Sequence, residues 1–339
     1  MATKNTDSSQ IILMQRLKEM LPPSVSLVNA LGDLLGLSTD SAYRRIRGET
    51  ALSIEEIASI CKHFKVSFDD FINLNKEGTS LNFVYKQLSS DGTAFKTYLY
   101  NINEDLKKFK KFEHKQIIFA AEDIPVFHHF FHPVLAAFKF FYWNKSILNA
   151  TGFEDKKFDL NEIDEEISSL AAEVLENYNA ISSVEIWSED TANSTIKQIE
   201  FYWESGMFKS KEDAITICKL LSELLDRIKQ QAEKNHKFSL QSKGPKLSAN
   251  YALYHSDVMI GNNCILVDAG SVKATYLSYH TFNVMYTTNS GFCNETETWL
   301  SNLIRKSNLI SGVAEKQRYR YFKNIEDQVK KLVEKIKLD

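Results

Sequence analysis

Cysteine is scarce in this chain of 339 residues: Cys61, Cys218, Cys264 and Cys293 stand far apart, and none lies in a CxxC pair. Isolated thiols of this kind give neither a disulfide framework nor zinc-finger spacing, and they fit a reducing compartment. An excess of one charge is lacking too, since 41 basic residues face 44 acidic ones for a net charge of -3. A histone-like protein is thereby excluded, and any nucleic-acid site has to come from local placement of cations rather than a global field. Long apolar runs are missing as well. The Phe-rich stretch 117–143 is broken by Glu122, Asp123 and Lys139, and 274–294, although free of Asp, Glu, Lys and Arg, is full of Ser, Thr and Asn. Neither provides the segment that a bilayer core requires, so no membrane association is expected. The polar opening MATKNTDSSQ carries no apolar core of a signal peptide, which places the chain in the cytoplasm as an expectation.

What is present is ordinary for a soluble globular protein. Hydrophobic residues make up 43% and charged ones 25%, which argues against wholesale disorder, and the 22 Phe and 14 Tyr predict bulky, flat-sided packing in the larger domain. The length suits two or three domains. No repeat of fixed period and no low-complexity tract occurs.

The first 74 residues read as short helices between turns. Residues 11–20 place Ile12, Leu13, Leu17 and Met20 on or near one face, and Pro22-Pro23 stops that helix. A second, over 27–35, is apolar at Val28, Leu31 and Leu35 and runs into Gly36-Leu37-Ser38, a tight turn. Ser38 caps a third helix from Thr39 to about Arg47, and Gly48 ends it. Ser53 and Glu56 have the spacing of a capping box for a fourth helix through Phe64, and a looser version at Ser67 to Asp70 opens a fifth ending near Leu74.

In order and spacing, LGDLLGLSTDSAYRRIRGE followed by LSIEEIASICKHFKVSFDDFI resembles the bacterial Cro and phage-repressor, or XRE-type, helix-turn-helix family. The matching pieces are the supporting helix with Leu31 and Leu35, the turn at 36–38, the recognition helix after Ser38, Gly48, and the later helix ending in His63-Phe64-Lys65-Val66-Ser67 before Phe68 to Phe71. They cover about a fifth of the chain. The resemblance implies double-stranded DNA as partner and maps Thr39, Asp40 and Arg44 onto base-reading positions and Ser38 onto the helix cap, where a phosphate can also be met. A recognition helix must bury one face and show polar groups on the other; Ala42 and Ile46 are the inward pair, leaving Thr39, Asp40, Tyr43, Arg44 and Arg47 outward or at the edges. Arg44 suits guanine, because a guanidinium bonds both major-groove acceptors at once. Arg45 and Arg47 are assigned to phosphates. Asp40 either accepts from a cytosine amino group or holds Arg44 at the i,i+4 distance, and Tyr43 is either a contact or core. The chain departs from the family pattern at Arg45, where an apolar residue is often buried, so that Ile46 must close the core instead.

Residues 75–92 form a connection with some structure, including a short helix expected within 81–88, and 93–339 a larger mixed α+β region, with a division into two lobes near 180 left open. The expected fold class is thus multidomain: a small all-α, lambda-repressor-like helix-turn-helix domain followed by that region. Within it, helices are expected over 93–111, beyond Pro133, over 161–178, around 195–205, over 211–233, over 296–309 and over about 319–338. Strands are expected at 117–121, 184–187, 264–267 and 275–286, and a loop at 241–250. The last helix repeats Phe322, Ile325, Val329, Leu332 and Ile336 at helical spacing, a seam able to pack within the domain or across a two-fold axis.

Chemistry elsewhere is thin. His128, His129 and His132 with Glu122 or Asp123 approach a metal set but want further ligands, so no metal is expected. No GxSxG, HExxH, GxGxxG or GxxxxGKS/T pattern occurs, and Asp257, Asp268, His280, Cys264 and Cys293 have no specifying spacing; neither catalysis nor a cofactor is expected. Residues 276–286 serve equally as a pocket wall or a half-buried strand, and Lys107, Lys108, Lys110 and Lys111 read as a solvated helix face. The function these features imply is sequence-specific transcriptional regulation by a homodimer whose C-terminal region senses a signal, dimerises the chain, or does both, with room for a small-molecule effector. The competing reading is an interaction or adaptor protein whose helical N-terminal domain does not read DNA.

Overall fold

The computed structural model of the protein describes residues 8–22, 25–64, 66, 68, 81–86, 94–240, 247–279 and 283–339. Helices of eight to twelve residues are marginal alone in water, so those of the N-terminal region depend on what they pack against. Here α1 (Ser9–Met20), α2 (Leu27–Leu35), α3 (Thr39–Ile46) and α4 (Ile54–Phe64) share a core of Leu13, Met14, Leu17, Leu27, Leu31, Ala42 and Ile60. They form a small all-α helix-turn-helix-like domain. The fifth helix expected near 67–74 lies outside the described residues.

A larger mixed α+β domain follows. Its strands among the described residues are β1 (Val84–Lys86), β2 (Gln116–Ala121), β3 (Ser182–Trp187), β4 (His236–Phe238), β5 (Leu247–His255), β6 (Cys264–Asp268), β7 (Lys273–Tyr279), β8 (Asn283–Thr287) and β9 (Asn308–Leu309). They lie in the order β1-β8-β7-β6-β2-β3-β5-β4, with β9 added on β5. The centre, β2, β3 and β5, is parallel, and the pairs outside it are antiparallel. The helices are α5 (Ala94–Phe109), α6 (Val126–His129), α7 (Pro133–Tyr142, continued by a π turn at Trp143–Ile147), α8 (Glu165–Asn179), α9 (Glu189–Glu204), α10 (Lys211–Lys234), α11 (Ser290–Lys306) and α12 (Glu315–Leu338).

Strand alternation sorts the sheet's two faces. Ile117, Phe119 and Ala121 of β2 and Trp187 of β3 join the thick aromatic core supplied by every helix of this domain except α11. Ala120, Ile186 and Leu266 point the other way and are covered by Leu300 and Leu303 of α11. Helices thus cover both faces of the parallel centre, as buried parallel strands require.

Several elements differ from their expected form. Residues 84–86, expected within a short helix, are strand β1, paired antiparallel with β8. The expected loop at 241–250 gives way to β5 from Leu247 onward, a neighbour of β3, while 241–246 lie outside the described residues. The expected single strand 275–286 is two, β7 and β8, paired with Tyr276 opposite Tyr286. Helix α9 starts at Glu189, well before the expected 195, because Ser188 and Thr191 form a capping box in which Thr takes the usual Glu or Gln place. Strands on either side of residue 180, β2 and β3, run side by side in one sheet. The seam of α12 is filled within the chain: Phe322, Ile325, Val329, Leu332 and Ile336 are buried in the same core as α10's Leu221, Leu225 and Ile228.

Candidate nucleic-acid interface

The turn between α2 and α3 is made by local chemistry. Gly36 takes a left-handed φ of 65° and its N–H bonds back to Gly32 O, which ends α2. Ser38, extended, caps α3 by accepting from Ser41 N at 3.3 Å. Ala42 is wholly buried against the supporting helix, and its single methyl permits the close approach. Gly48, at φ 72°, turns the chain away after α3, and a Cβ there would press on Ile11 at 3.2 Å.

This rotation of α3 leaves Ser38, Thr39, Asp40, Tyr43, Arg44 and Arg47 exposed on the first turns and outer face, with Arg45 and Ile46 half-buried. Tyr43 is 47% exposed and is therefore surface rather than core. The Arg44 guanidinium has no hydrogen-bond or ion-pair partner among the described residues, and Asp40 does not pair with it. The other two arginines are engaged. Arg45 Nη2 lies 2.8 Å from Glu56 Oε1, with both side chains half-buried. Arg47 embraces Glu49 with Nε at 2.9 Å and Nη2 at 3.2 Å, out in solvent. The Arg45 guanidinium holds the Glu56 carboxyl below the usual carboxylate range, while Glu56 Oε2 accepts from Ser53 N at 2.9 Å and completes the capping box of α4. One carboxylate thus joins the recognition helix to the start of α4. Between residues 8 and 64 six basic residues meet six acidic ones, so the unpaired Arg44 is set in an electrically balanced domain.

Two fasteners had no sequence signal strong enough to reveal them. Gln10 of α1 donates to Arg45 O and Thr50 O, both at 2.8 Å, and accepts from Leu52 N at 3.1 Å, closing the chain after α3 onto α1. Glu56 was visible as a capping residue, but its partner Arg45 lies on another helix and the spacing between them has no helical meaning.

The remaining polar clusters are taken up by the fold. His128 Nε2 lies 2.8 Å from Glu185 Oε1, His129 Nε2 3.3 Å from Thr195 Oγ1, and His132 Nε2 3.5 Å from Glu223 Oε2. They diverge because α6 stops at His129 and Pro133 opens a separate helix. No group of three His, Cys, Asp or Glu that could hold a metal occurs among the described residues. Lys107 pairs with Glu104 and Glu173, and Lys110 donates to Asn177 Oδ1. Burial pushes the Cys264 thiol up to about 12 and raises that of Cys293, which makes both poor nucleophiles; Asp268 sits 3.4 Å from His114, and His280 lies outside the described residues. Tyr276 and Tyr286 stack at 5.2 Å. No helix of the described residues is long and apolar enough to cross a membrane.

Residues 10–88 match the family model of the BetR domain, a helix-turn-helix DNA-binding family. The match spans α1 to α4 and extends through β1, the outer strand of the sheet. It does not single out the Cro or XRE type. Neither a curated protein nor a solved structure matches the chain.

Proposed function

We propose that the chain is a cytoplasmic, sequence-specific DNA-binding transcriptional regulator that works as a homodimer. In this reading residues 1–74 read DNA, 75–92 connect, with β1 of that stretch already joined to the sheet, and 93–339 sense a signal, dimerise the chain, or do both, with a small-molecule effector as one form of that signal. The observation that carries it is a capped, outward-facing α3 whose Arg44 is exposed and unpaired beside Thr39, Asp40 and Tyr43, within a span that matches a helix-turn-helix DNA-binding family. Arg44 bonds a guanine edge, Asp40 accepts from a cytosine amino group, Thr39 and Tyr43 contact neighbouring bases, and the N-terminus capped by Ser38 meets a phosphate. Arg47 reaches a phosphate by leaving Glu49, an exchange that costs little in solvent. Arg45 contributes chiefly by fixing the helix against Glu56, its half-buried pair being harder to give up. An electrically balanced domain has little nonspecific attraction for a polyanion, and two modules on one duplex supply the missing affinity through effective concentration.

Selection of duplexes from a random pool by the full chain, with its mass in solution measured alongside, tests this. Two related half-sites about one or more helical turns apart, bound by a dimer, are expected. Recovery of no preferred sequence would favour the adaptor reading, which the balanced charge and the engagement of Arg45 and Arg47 by carboxylates already support in part.

A further inference from the structure

Helix α1 presents two adjoining faces to two different domains. Leu13, Met14 and Leu17 enter the core of the DNA reader, and Gln10 ties the chain that follows α3 to it. On the neighbouring face Arg16 donates to Ser290 Oγ at the start of α11, and Glu19 O accepts from Ser271 Oγ, in the turn between β6 and β7, at 3.3 Å. The same short helix therefore touches both the end of the recognition helix and the α+β domain. In this docked arrangement the outer face of α3 stays open.

We propose that α1 is the coupling element of the molecule: by docking on the 269–272 turn and the first residue of α11, it sets the orientation in which the α+β domain presents the recognition helix. The inference rests on the DNA-reading assignment above and adds a mechanism of regulation to it. Packing at the junction supports a reversible contact, because clefts of about 220 and 640 Å³ adjoin it and both include Glu19 and Ser271. Two hydrogen bonds among the described residues, with open space beside them, fit a docking free energy of the size that a signal can shift. Movement of the β6–β7 turn is transmitted as a rigid-body displacement, since α1 and α3 share one core and one set of Gln10 bonds. A fixed orientation has a functional consequence: in a dimer it makes the distance between half-sites strict.

The test uses the full chain and the double substitution Ser271→Glu with Ser290→Lys, which sets like charge against Glu19 and Arg16 and leaves the reader's own residues untouched. Small-angle scattering is expected to show a compact wild-type particle and a larger maximum dimension for the variant, with hydrogen exchange rising in the 269–272 turn. On the selected duplex and on versions with half-site spacing altered by a few base pairs, the wild type should discriminate, and the variant should lose roughly tenfold of that discrimination, the weight of one or two hydrogen bonds. Arg16→Ala, made from the other side of the contact, should act in the same direction, so that damage to α11 alone cannot account for the result. Unchanged scattering and unchanged spacing preference in both variants, with melting curves like the wild type's, would overturn the proposal. A scattering difference without any duplex binding by the wild type would leave the docking in place and remove the DNA-reading assignment.

Discussion

The two domains treat charge in opposite ways. In the helix-turn-helix-like domain, proposed to read DNA, Arg47 and Glu49 pair in solvent, Arg45 and Glu56 are half-buried, and the Arg44 side chain is unpaired among the described residues. The α+β domain, beside surface ion pairs such as Lys107 with Glu173, also holds a polar cluster at its centre. Glu185 of β3, fully buried, accepts from His128 Nε2 at 2.8 Å, Tyr178 Oη at 2.6 Å, Trp187 Nε1 at 2.9 Å and Tyr251 Oη at 3.1 Å. Lys237, also buried, donates to Tyr178 O and Ile181 O and lies over the Tyr178 ring at 3.3 Å. Burial alone would raise the Glu185 carboxyl, but the donors, His128 foremost, outweigh it and hold it below the ordinary carboxylate range. The buried donors of this cluster are directed at Glu185 and at backbone carbonyls, whereas the exposed Arg44 guanidinium is left open to a ligand. The contrast supports the proposal that recognition lies in α3, and it puts the buried cluster among what holds the larger domain together.

The largest expected effect breaks the reader alone. Leu31→Asp puts an unpaired carboxylate into a core of very few side chains, and duplex binding should vanish while the α+β domain keeps its melting transition. Simultaneous loss of both transitions in calorimetry would mean that the domains do not fold as separate units. Next in size, Glu185→Ala strands four buried donors and should lower the stability of the α+β domain by about 3–5 kcal/mol in denaturant titration. The pH dependence of that domain has a definite sign. Both Glu185 and His129 have folded pKa values below their ordinary ones, His129 through burial first and then the neighbouring Lys139 and His128 charges. Each therefore contributes stability that is present above its ordinary value and is lost as pH falls towards the folded value. Stability should begin to decline below about 6.5 on account of His129 and fall again in the carboxylate range. A rise in stability between pH 7 and 5 would contradict the neutral, buried state of His129.

Arg44→Ala should weaken binding to the preferred duplex by about 1 kcal/mol or more and relax preference at a guanine-containing position. Equal loss on specific and random duplexes would reassign Arg44 to phosphate. The smallest effect is the most discriminating: Arg47→Ala should leave melting unchanged while flattening the salt dependence of duplex binding by about one counterion. Unaltered salt dependence would mean that Arg47 faces no phosphate.

Much of the reader was legible because its signals are local. Gly36, Ser38, Gly48 and the Ser53–Glu56 pair each act on their own few bonds, and Ala42 with Ile46 sets the phase of α3. What escaped was set by distant partners. Arg45, assigned to a phosphate, pairs with Glu56 of another helix, a partner its own helix cannot announce, and Gln10 closes a contact to Thr50 that no periodicity records. In the larger domain, periodicity showed that one face of α12 is covered but not by what, and α10 fills it. Strand β5 was hidden because Ser248, Asn250 and His255 within it break its apolar pattern, although it lies beside β3 in the sheet. The buried set around Glu185 gave no sign at all, since its members come from α6, α8, β3 and β5.

The central claim, that α3 reads DNA through an exposed and unpaired Arg44, is tested most directly by titrating the full chain against a selected duplex and a scrambled one between about 50 and 200 mM salt. The account predicts that log affinity falls linearly with log salt for both duplexes, that the selected one stays tighter throughout, and that Arg44→Ala closes much of the gap. Binding that is absent, or that neither weakens with salt nor distinguishes the two duplexes, would contradict it.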